Sequence, residues 1–518
     1  MTTHSSDTHD ARPPFAVGIV ATVVAVSLAL HVITLMVTTF GIQRDEFLYF
    51  SMGEHLRLWR MDFPPLIAIL ANIAGALPGH TLAAVRVFPA VEGAALTLLA
   101  ALIGRELGGG RFAQGLTALC CISSVLFQRT STLFQPVVLD QLWWTLALWM
   151  LVRLSREERP RDWIGFGIAM GLGLLTKFSI LFFGLAALGA IVVTPARRWL
   201  LTPWPWLAAA IAFVIGAPSI VGQVRLGYPV VAQMRDLQGQ QLGHVSWLSF
   251  VAEQPLMVSP APFVVAVIGV VALIATHRAR RFAVAGWACL LAFALLLVLH
   301  GKAYYIGPIY PTLFAAGAVV VEAWRARWAT AARWSIVAVT IAFGALLLPL
   351  GMPLLGWGQT GDYIARIGAS SSLRTNQGVM ERLPQDYADM IGWEEQSQAL
   401  ARATRALSAG EREAAVILGA NYGEAGAAEF YRAKYDLPPV VSSVGSFWFF
   451  GPGARPGTVL VSIGADSVDI AKFYDDVRVA EVVRSPWSVA EEREVPVLVA
   501  RRPRTTLQAI WPSLAGRQ

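Results

Sequence analysis

The chain has 518 residues, of which 55% are hydrophobic and 14% are charged, against about 25% charged in a soluble domain. That balance excludes an ordinary soluble enzyme and points to a polytopic membrane protein. The net charge of +7 arises in the apolar part without a basic stripe interleaved with aromatics, so it reads as a membrane-orientation signal and excludes nucleic acid as a partner.

The first element is the uncharged stretch from Phe15 to Phe40. About 26 residues at ~1.5 Å rise cross a bilayer. The stretch is too long for the apolar core of a secretion signal and no clear cleavage site follows it, so it is predicted to be a retained transmembrane helix. Further spans are predicted near 82–104, 113–129, 136–153, 163–176, 178–194, 206–222, 260–276, 283–300, 303–322 and 334–350, about eleven in all. The fifth and sixth are short, and read as a hairpin that does not cross fully or as tilted helices. The 18 Trp suit interfacial anchoring.

Arginine-rich joints set the orientation. Arg105 and Arg111, Arg153 to Arg161, Arg197 and Arg198, Arg278 to Arg281, and Arg325 to Arg333 fall on one side, which the positive-inside rule makes cytoplasmic. The loops 41–81 and 223–259 and the tail then lie outside. The expected architecture is mainly α: a polytopic membrane helical domain over 1–354, then a small soluble α/β domain over 355–518. In the tail, strands are predicted at 415–418, 440–441, 459–462, 477–483 and 495–499, with a helix over 424–434.

Between the first and second spans, Phe47, Phe50, Leu56 and Trp59 recur at near-helical spacing. This predicts a short interfacial helix, ended by Asp62-Phe63-Pro64-Pro65-Leu66 because proline restricts its predecessor and donates no amide hydrogen.

The residues that suggest chemistry lie at outer helix ends, where a charge is costly unless it is used or paired. Arg44-Asp45-Glu46 directly follows the first span. Asp45 is the candidate general base. Glu46 is the candidate to orient it, bind a sugar hydroxyl or pair with a cation; the plain alternative is a helix-end salt bridge between Arg44 and one of the two carboxylates, in which Arg44 neutralises Glu46 and does nothing else. Asp140, near the start of the fourth span, is a second candidate acid, and equally an acid placed to suit the helix dipole. Lys177, between two short apolar stretches, either faces a polar cavity or snorkels outward. Lys302, Tyr304 and Tyr305 form an outer cluster suited to a phosphate and a sugar, or an aromatic belt beside a proline kink. Arg129 has the same two readings. These oppose the positive-inside trend. Cys120, Cys121 and Cys289 lack metal-ligand spacing and read as small buried hydrophobes, the eight His are scattered, and neither metal nor cofactor is expected.

Asp45-Glu46 after the first span, the loop ending in Asp62-Phe63-Pro64-Pro65-Leu66, Gly173-Leu174-Leu175-Thr176-Lys177, Gly301-Lys302-Ala303-Tyr304-Tyr305 and the tail stretch Asn421-Tyr422-Gly423-Glu424-Ala425-Gly426-Ala427 together resemble the family-39 type of GT-C glycosyltransferases. That group includes the protein O-mannosyltransferases and the lipid A aminoarabinose transferases. The resemblance implies a polyprenyl-phosphate-linked sugar donor, an inverting single displacement, and a site at the outer face of a bacterial inner membrane. It also implies the roles given to Asp45, Glu46, Asp140 and Lys177. The aminoarabinose transferases carry a lysine just before the paired prolines, where this chain has Phe63, which argues against lipid A aminoarabinose transfer. No MIR-type repeat is evident in the tail, so a lipid or envelope-glycan acceptor is favoured over protein. The alternative is a transporter or flippase of a lipid-linked sugar, but repeated halves are not evident.

Overall fold

The computed structural model describes residues 12–76, 81–240, 242–244, 246–375 and 377–514. Residues 1–11, part of the N-terminus read as free of a cleavable signal, and 77–80 of the first outer loop lie outside them.

Among the described residues, seven helices are long and apolar enough to cross a membrane: Val17–Val37, Leu82–Glu106, Pro136–Glu157, Trp204–Arg225, Arg280–Val298, Ala303–Ala323 and Ala329–Gly351. The number rises to nine if two bent pairs count as one span each. Ile180–Val193 turns by 107° into Pro195–Leu201, and Trp247–Met257 by 112° into Pro260–Ala275. Counted so, two of the eleven expected spans fall short. The stretch at 113–129 is two helices, Arg111–Ile122 and Val125–Thr130. It breaks at Ser123–Ser124, where the Ser124 hydroxyl bonds to the carbonyls of Cys120 and Val258. The helix Pro160–Thr176 has only 17 residues.

The chain forms two compact units. The first comprises residues 1–36, 86–220 and 232–352. Its core includes Trp144, Leu148, Phe183, Cys289 and Phe314, with Trp144 and Phe183 5.0 Å apart between ring centroids. Cys120, Cys121 and Cys289 are buried free thiols. Helix Pro260–Ala275 packs against Tyr310–Ala323 through glycines. A Cβ on Gly269 would lie 2.0 Å from the Leu313 carbonyl oxygen, and one on Gly317 1.9 Å from that of Val265. Without hydrophobic drive in lipid, such backbone proximity is a main source of helix association. Arg153 pairs with Asp162 at 2.8 Å.

The second unit comprises 37–85, 221–231 and 353–518, so the loop after the first span belongs with the tail. The tail holds a five-stranded sheet in the order β2-β1-β3-β5-β4: β1 (Ala415–Gly419), β2 (Val440–Val441), β3 (Val459–Ile463), β4 (Tyr474–Arg484) and β5 (Glu494–Pro503). β1 pairs in parallel with β2 and β3, while β5 is antiparallel to both β3 and β4. β3 is buried throughout and β4 is largely open along one side, as expected of a central and an edge strand.

The short helix predicted after the first span exists as Arg44–Glu54, but its apolar side is a protein contact and not a membrane surface. Phe47 stands edge-on to Trp393 and Phe430, and Phe50 to Phe430. The two prolines do not end this helix, which stops at Glu54. Pro65 instead stands at the N-cap of the next one, Leu66–Gly75. Phe63 packs into a cluster with Leu48, Met52, Met61 and Phe447.

Candidate active site

In the second unit the site grows from a helix cap. Gln43 is extended, and its side-chain oxygen accepts from the Asp45 amide at 2.8 Å. The Glu46 carboxylate returns to accept from the Gln43 amide at 2.7 Å. This reciprocal cap satisfies amides that the first turn leaves open. It occupies Glu46, which is fully buried. Asp45 is half-buried in the same turn, where the helix dipole favours its charged form. The Tyr422 hydroxyl donates to Asp45 Oδ1 at 2.9 Å.

Two phenols border this acid. Burial, helped by the charges of Asp45 and Glu46, pushes the Tyr49 hydroxyl well above its ordinary value of 10.0. Burial and Asp45 do the same for Tyr422. Both remain protonated at neutral pH, and Tyr422 acts as a donor.

Arg44 does not serve as the counter-ion of Glu46 expected from sequence. Its guanidinium bonds to Asp389 at 2.8 and 3.1 Å and to Glu491 at 2.5 Å, and lies 5.8 Å from the Tyr422 ring centroid. Burial opposes its charge, but Asp389, Tyr422 and Glu491 more than offset that, so its pKa is raised. Burial lifts Asp389 to about 7, with Arg44 limiting the rise and Asp45 adding to it.

The tail motif is built just as tightly. Asn421 caps helix Tyr422–Phe430, its side-chain oxygen accepting from the amides of Gly423 and Glu424. Glu424 returns to the Asn421 amide at 2.9 Å, and the Asn421 side-chain amide donates to Glu492 at 2.9 Å. Burial raises the pKa of both Glu424 and Glu492, and the charge of Glu492 raises Glu424 further.

In the first unit, Asp140 is buried and its Oδ1 accepts from the Trp144 indole at 3.0 Å and from the Ser179 hydroxyl at 2.8 Å. Lys177 sits where helix Pro160–Thr176 ends. Its Nζ lies 4.6 Å from the Tyr305 ring centroid and 5.6 Å from that of Tyr304, and its charge acts on Asp140. The two tyrosines stand edge to face at 4.7 Å. Lys302 begins the turn Ala303–Ile309 that carries them, and its carbonyl accepts from the Tyr305 amide at 3.0 Å. Arg129 donates from Nε to the Leu350 carbonyl at 3.1 Å, tying Val125–Thr130 to the end of Ala329–Gly351.

The structure thus brings Asp140, Lys177, Tyr304 and Tyr305 together, with Lys302 on the same turn, while Arg129 binds a helix end. Asp45 and Glu46 belong to the other unit, where Tyr422, Tyr49, Asp389 and Glu491 join them. Tyr422 was visible in sequence only as part of a motif, and Asp389 carries no sequence signal. Among the described residues no three His, Cys, Asp or Glu side chains converge as a metal-binding group.

The family described as dolichyl-phosphate-mannose-protein mannosyltransferase matches residues 62–221. No curated protein matches the sequence. The crystal structure of ArnT from Cupriavidus metallidurans bound to undecaprenyl phosphate superposes with a TM-score of 0.60 at 16% identity, over 97% of this chain and 100% of that one. The same protein in the apo state gives 0.59, at the same identity and coverage. The oligosaccharyltransferase of Archaeoglobus fulgidus gives 0.47 at 15% identity, over 68% of this chain and 58% of that one. The chain therefore has an ArnT-like fold, a helical part with helices apolar and long enough to cross a membrane followed by a small sheet-containing domain.

Proposed function

We propose that this chain is a membrane glycosyltransferase that moves a sugar from a polyprenyl-phosphate donor to a lipid or cell-envelope glycan acceptor, with inversion. The observation that carries the reading is Asp45: a half-buried carboxylate in the first turn of a helix, held by a phenol, on a fold shared with a protein crystallised with undecaprenyl phosphate. In this reading Asp45 takes the proton of an acceptor hydroxyl as that oxygen attacks the anomeric carbon. The bond from that carbon to the phosphate oxygen breaks, and polyprenyl phosphate leaves carrying the electron pair. Lys177, set over Tyr304 and Tyr305, stabilises the departing phosphate, and Asp140 with Ser179 keeps the neighbourhood of Lys177 polar. The protein sits in a bacterial inner membrane with its tail on the periplasmic side.

The test uses purified protein in proteoliposomes with labelled polyprenyl-phosphate sugars and an envelope-lipid extract. Sugar transfer is expected, and Asp45→Asn is expected to lower it by about 10²-fold or more, as for loss of a general base. Full transfer by Asp45→Asn removes Asp45 from the role. Movement of the lipid across the bilayer without a new glycosidic bond replaces the reading with a flippase.

A further inference from the structure

We infer that Tyr422 is a positioning residue for Asp45, so that the C-terminal segment completes the machinery that the 44–54 helix begins. The inference rests on the reading of Asp45 as base and adds a residue to it. The contact is a phenol hydroxyl on a carboxylate at 2.9 Å, between residues 377 apart in sequence. A hydrogen bond to an ionised acceptor is among the stronger kinds and fixes the carboxylate's rotamer.

The surroundings hold both partners in place. Tyr422 opens its helix directly behind the Asn421 cap, and Asn421 is itself anchored by Glu492. The Arg44 guanidinium lies over the Tyr422 ring and is held by Asp389 and Glu491. Gly423 allows the close approach, because a Cβ there would fall 2.5 Å from Arg44 Cγ and 2.8 Å from the Trp393 ring. The Asp45 end is fixed by the Gln43–Glu46 cap. A phenol so constrained at both ends is built to present its hydroxyl to that oxygen.

The titratable groups that interact with Asp45 are Tyr49 on its own helix and Asp389 and Tyr422 from the tail, with Arg44 acting on Asp389 and Tyr422, and itself paired with Glu491. Among these, Tyr422 acts through a direct bond. Donation to the ionised carboxylate favours that form, so removing the hydroxyl loosens the base and makes it easier to protonate.

The experiment compares full-length Tyr422→Phe with wild type in the proteoliposome assay. The variant keeps the ring under Arg44 and loses only the hydroxyl. Transfer is expected to fall about tenfold or more in kcat, the rate equivalent of a hydrogen bond to a charged group, with the donor KM little changed. The acid limb of the pH–rate profile is expected to move up by roughly one pH unit. A packing role alone would not move that limb. An activity-independent arm uses thermal unfolding of Asp45→Asn, Tyr422→Phe and the double variant. Non-additive shifts support the contact, and additive shifts overturn it even where Tyr422→Phe is destabilised. If wild type transfers sugar and Tyr422→Phe matches it in rate and pH limb, the positioning role falls and the functional reading stands. If wild type transfers none, both fall.

Discussion

Gly426 faces Phe47 so closely that a Cβ on Gly426 would lie 2.8 Å from the Phe47 Cβ and 3.0 Å from its carbonyl carbon. The neighbour here is backbone and the root of a side chain, which cannot swing aside. Gly426→Ala is therefore expected to push helix Tyr422–Phe430 off helix Arg44–Glu54. The cost is about 1–3 kcal/mol, as for overpacking elsewhere, read as a lower thermal midpoint. Gly410→Ala is the control. It lies within Ala409–Ala414 with nothing inside 4 Å of a new Cβ, and it is expected to leave stability unchanged or raise it by up to about 1 kcal/mol. Equal midpoints for the two variants would remove the close-packed contact from the account.

Lys177 supplies a second prediction. Its ammonium lies over Tyr305 and near Tyr304, an arrangement that steadies a cation at a helix end without neutralising it. Lys177→Gln is expected to lower transfer by about 10–100-fold, since a cation on a leaving phosphate acts mainly in the transition state. Tyr305→Phe keeps the ring face and is expected to retain most of the rate. Tyr305→Leu removes it and is expected to fall between the two. Initial rates over a range of donor concentrations decide this. Wild-type rates in Lys177→Gln would take the phosphate role away from Lys177.

Much of this arrangement was readable in the sequence, and the failures have physical causes. Composition and apolar run length located the helices well, because a lipid-facing helix must be apolar over its whole length. They overcounted where polar backbone geometry intervened. Ser123 and Ser124 sit in an apolar run, yet the Ser124 hydroxyl donates to the Cys120 and Val258 carbonyls and the Ser123 carbonyl accepts from the Ser259 hydroxyl, where the run breaks. The strands of the tail were legible from short Val-rich runs. Lys177 with Tyr304 and Tyr305 could be nominated because a cation and paired phenols are unusual at the ends of apolar helices. The surroundings of Arg44 could not. Its local neighbours Asp45 and Glu46 look like natural partners, but the Gln43 cap takes Glu46, and the guanidinium turns to Asp389, 345 residues away. Sequence spacing carries no trace of such a pairing. The same distance hid Tyr422 as the partner of Asp45.

The Arg44–Asp389 pair yields a third prediction. Both side chains are largely buried and Arg44 holds the Asp389 pKa down, so removing the cation leaves Asp389 to ionise in a poor solvent or to take up a proton. Arg44→Met is expected to destabilise by about 3 kcal/mol or more, while the double variant with Asp389→Asn recovers part of the loss, because burying two neutral groups costs less than burying one unpaired charge. Denaturant unfolding of the two singles and the double measures this coupling. Strict additivity would show the pair to be energetically idle.

Asp62 gives a pH-dependent test. It is buried, its Oδ2 accepts from the Ser446 hydroxyl at 2.7 Å, and its carbonyl accepts from Gln223 at 2.5 Å. Burial raises its pKa from 3.8 to about 6, and the Ser446 bond and local amides limit the rise. Below about pH 3 the carboxyl is neutral in both folded and unfolded chains, and no penalty applies. As pH rises towards 6 the unfolded chain ionises first while the fold keeps its proton, so stability is lost. Above that the full cost of a buried charge is in place, about 3 kcal/mol for a shift of this size. Asp62→Asn removes the titration and keeps an oxygen for Ser446. The stability of the variant minus that of wild type is therefore expected to be near zero at about pH 3, to grow through roughly pH 4–6, and to level off above about pH 6 in favour of the variant. Taking the difference cancels the other buried acids, Asp389, Glu424 and Glu492, which titrate alike in both proteins. A difference that is flat with pH, or that favours wild type above pH 6, would mean that Asp62 is ionised in the fold with its charge fully satisfied there.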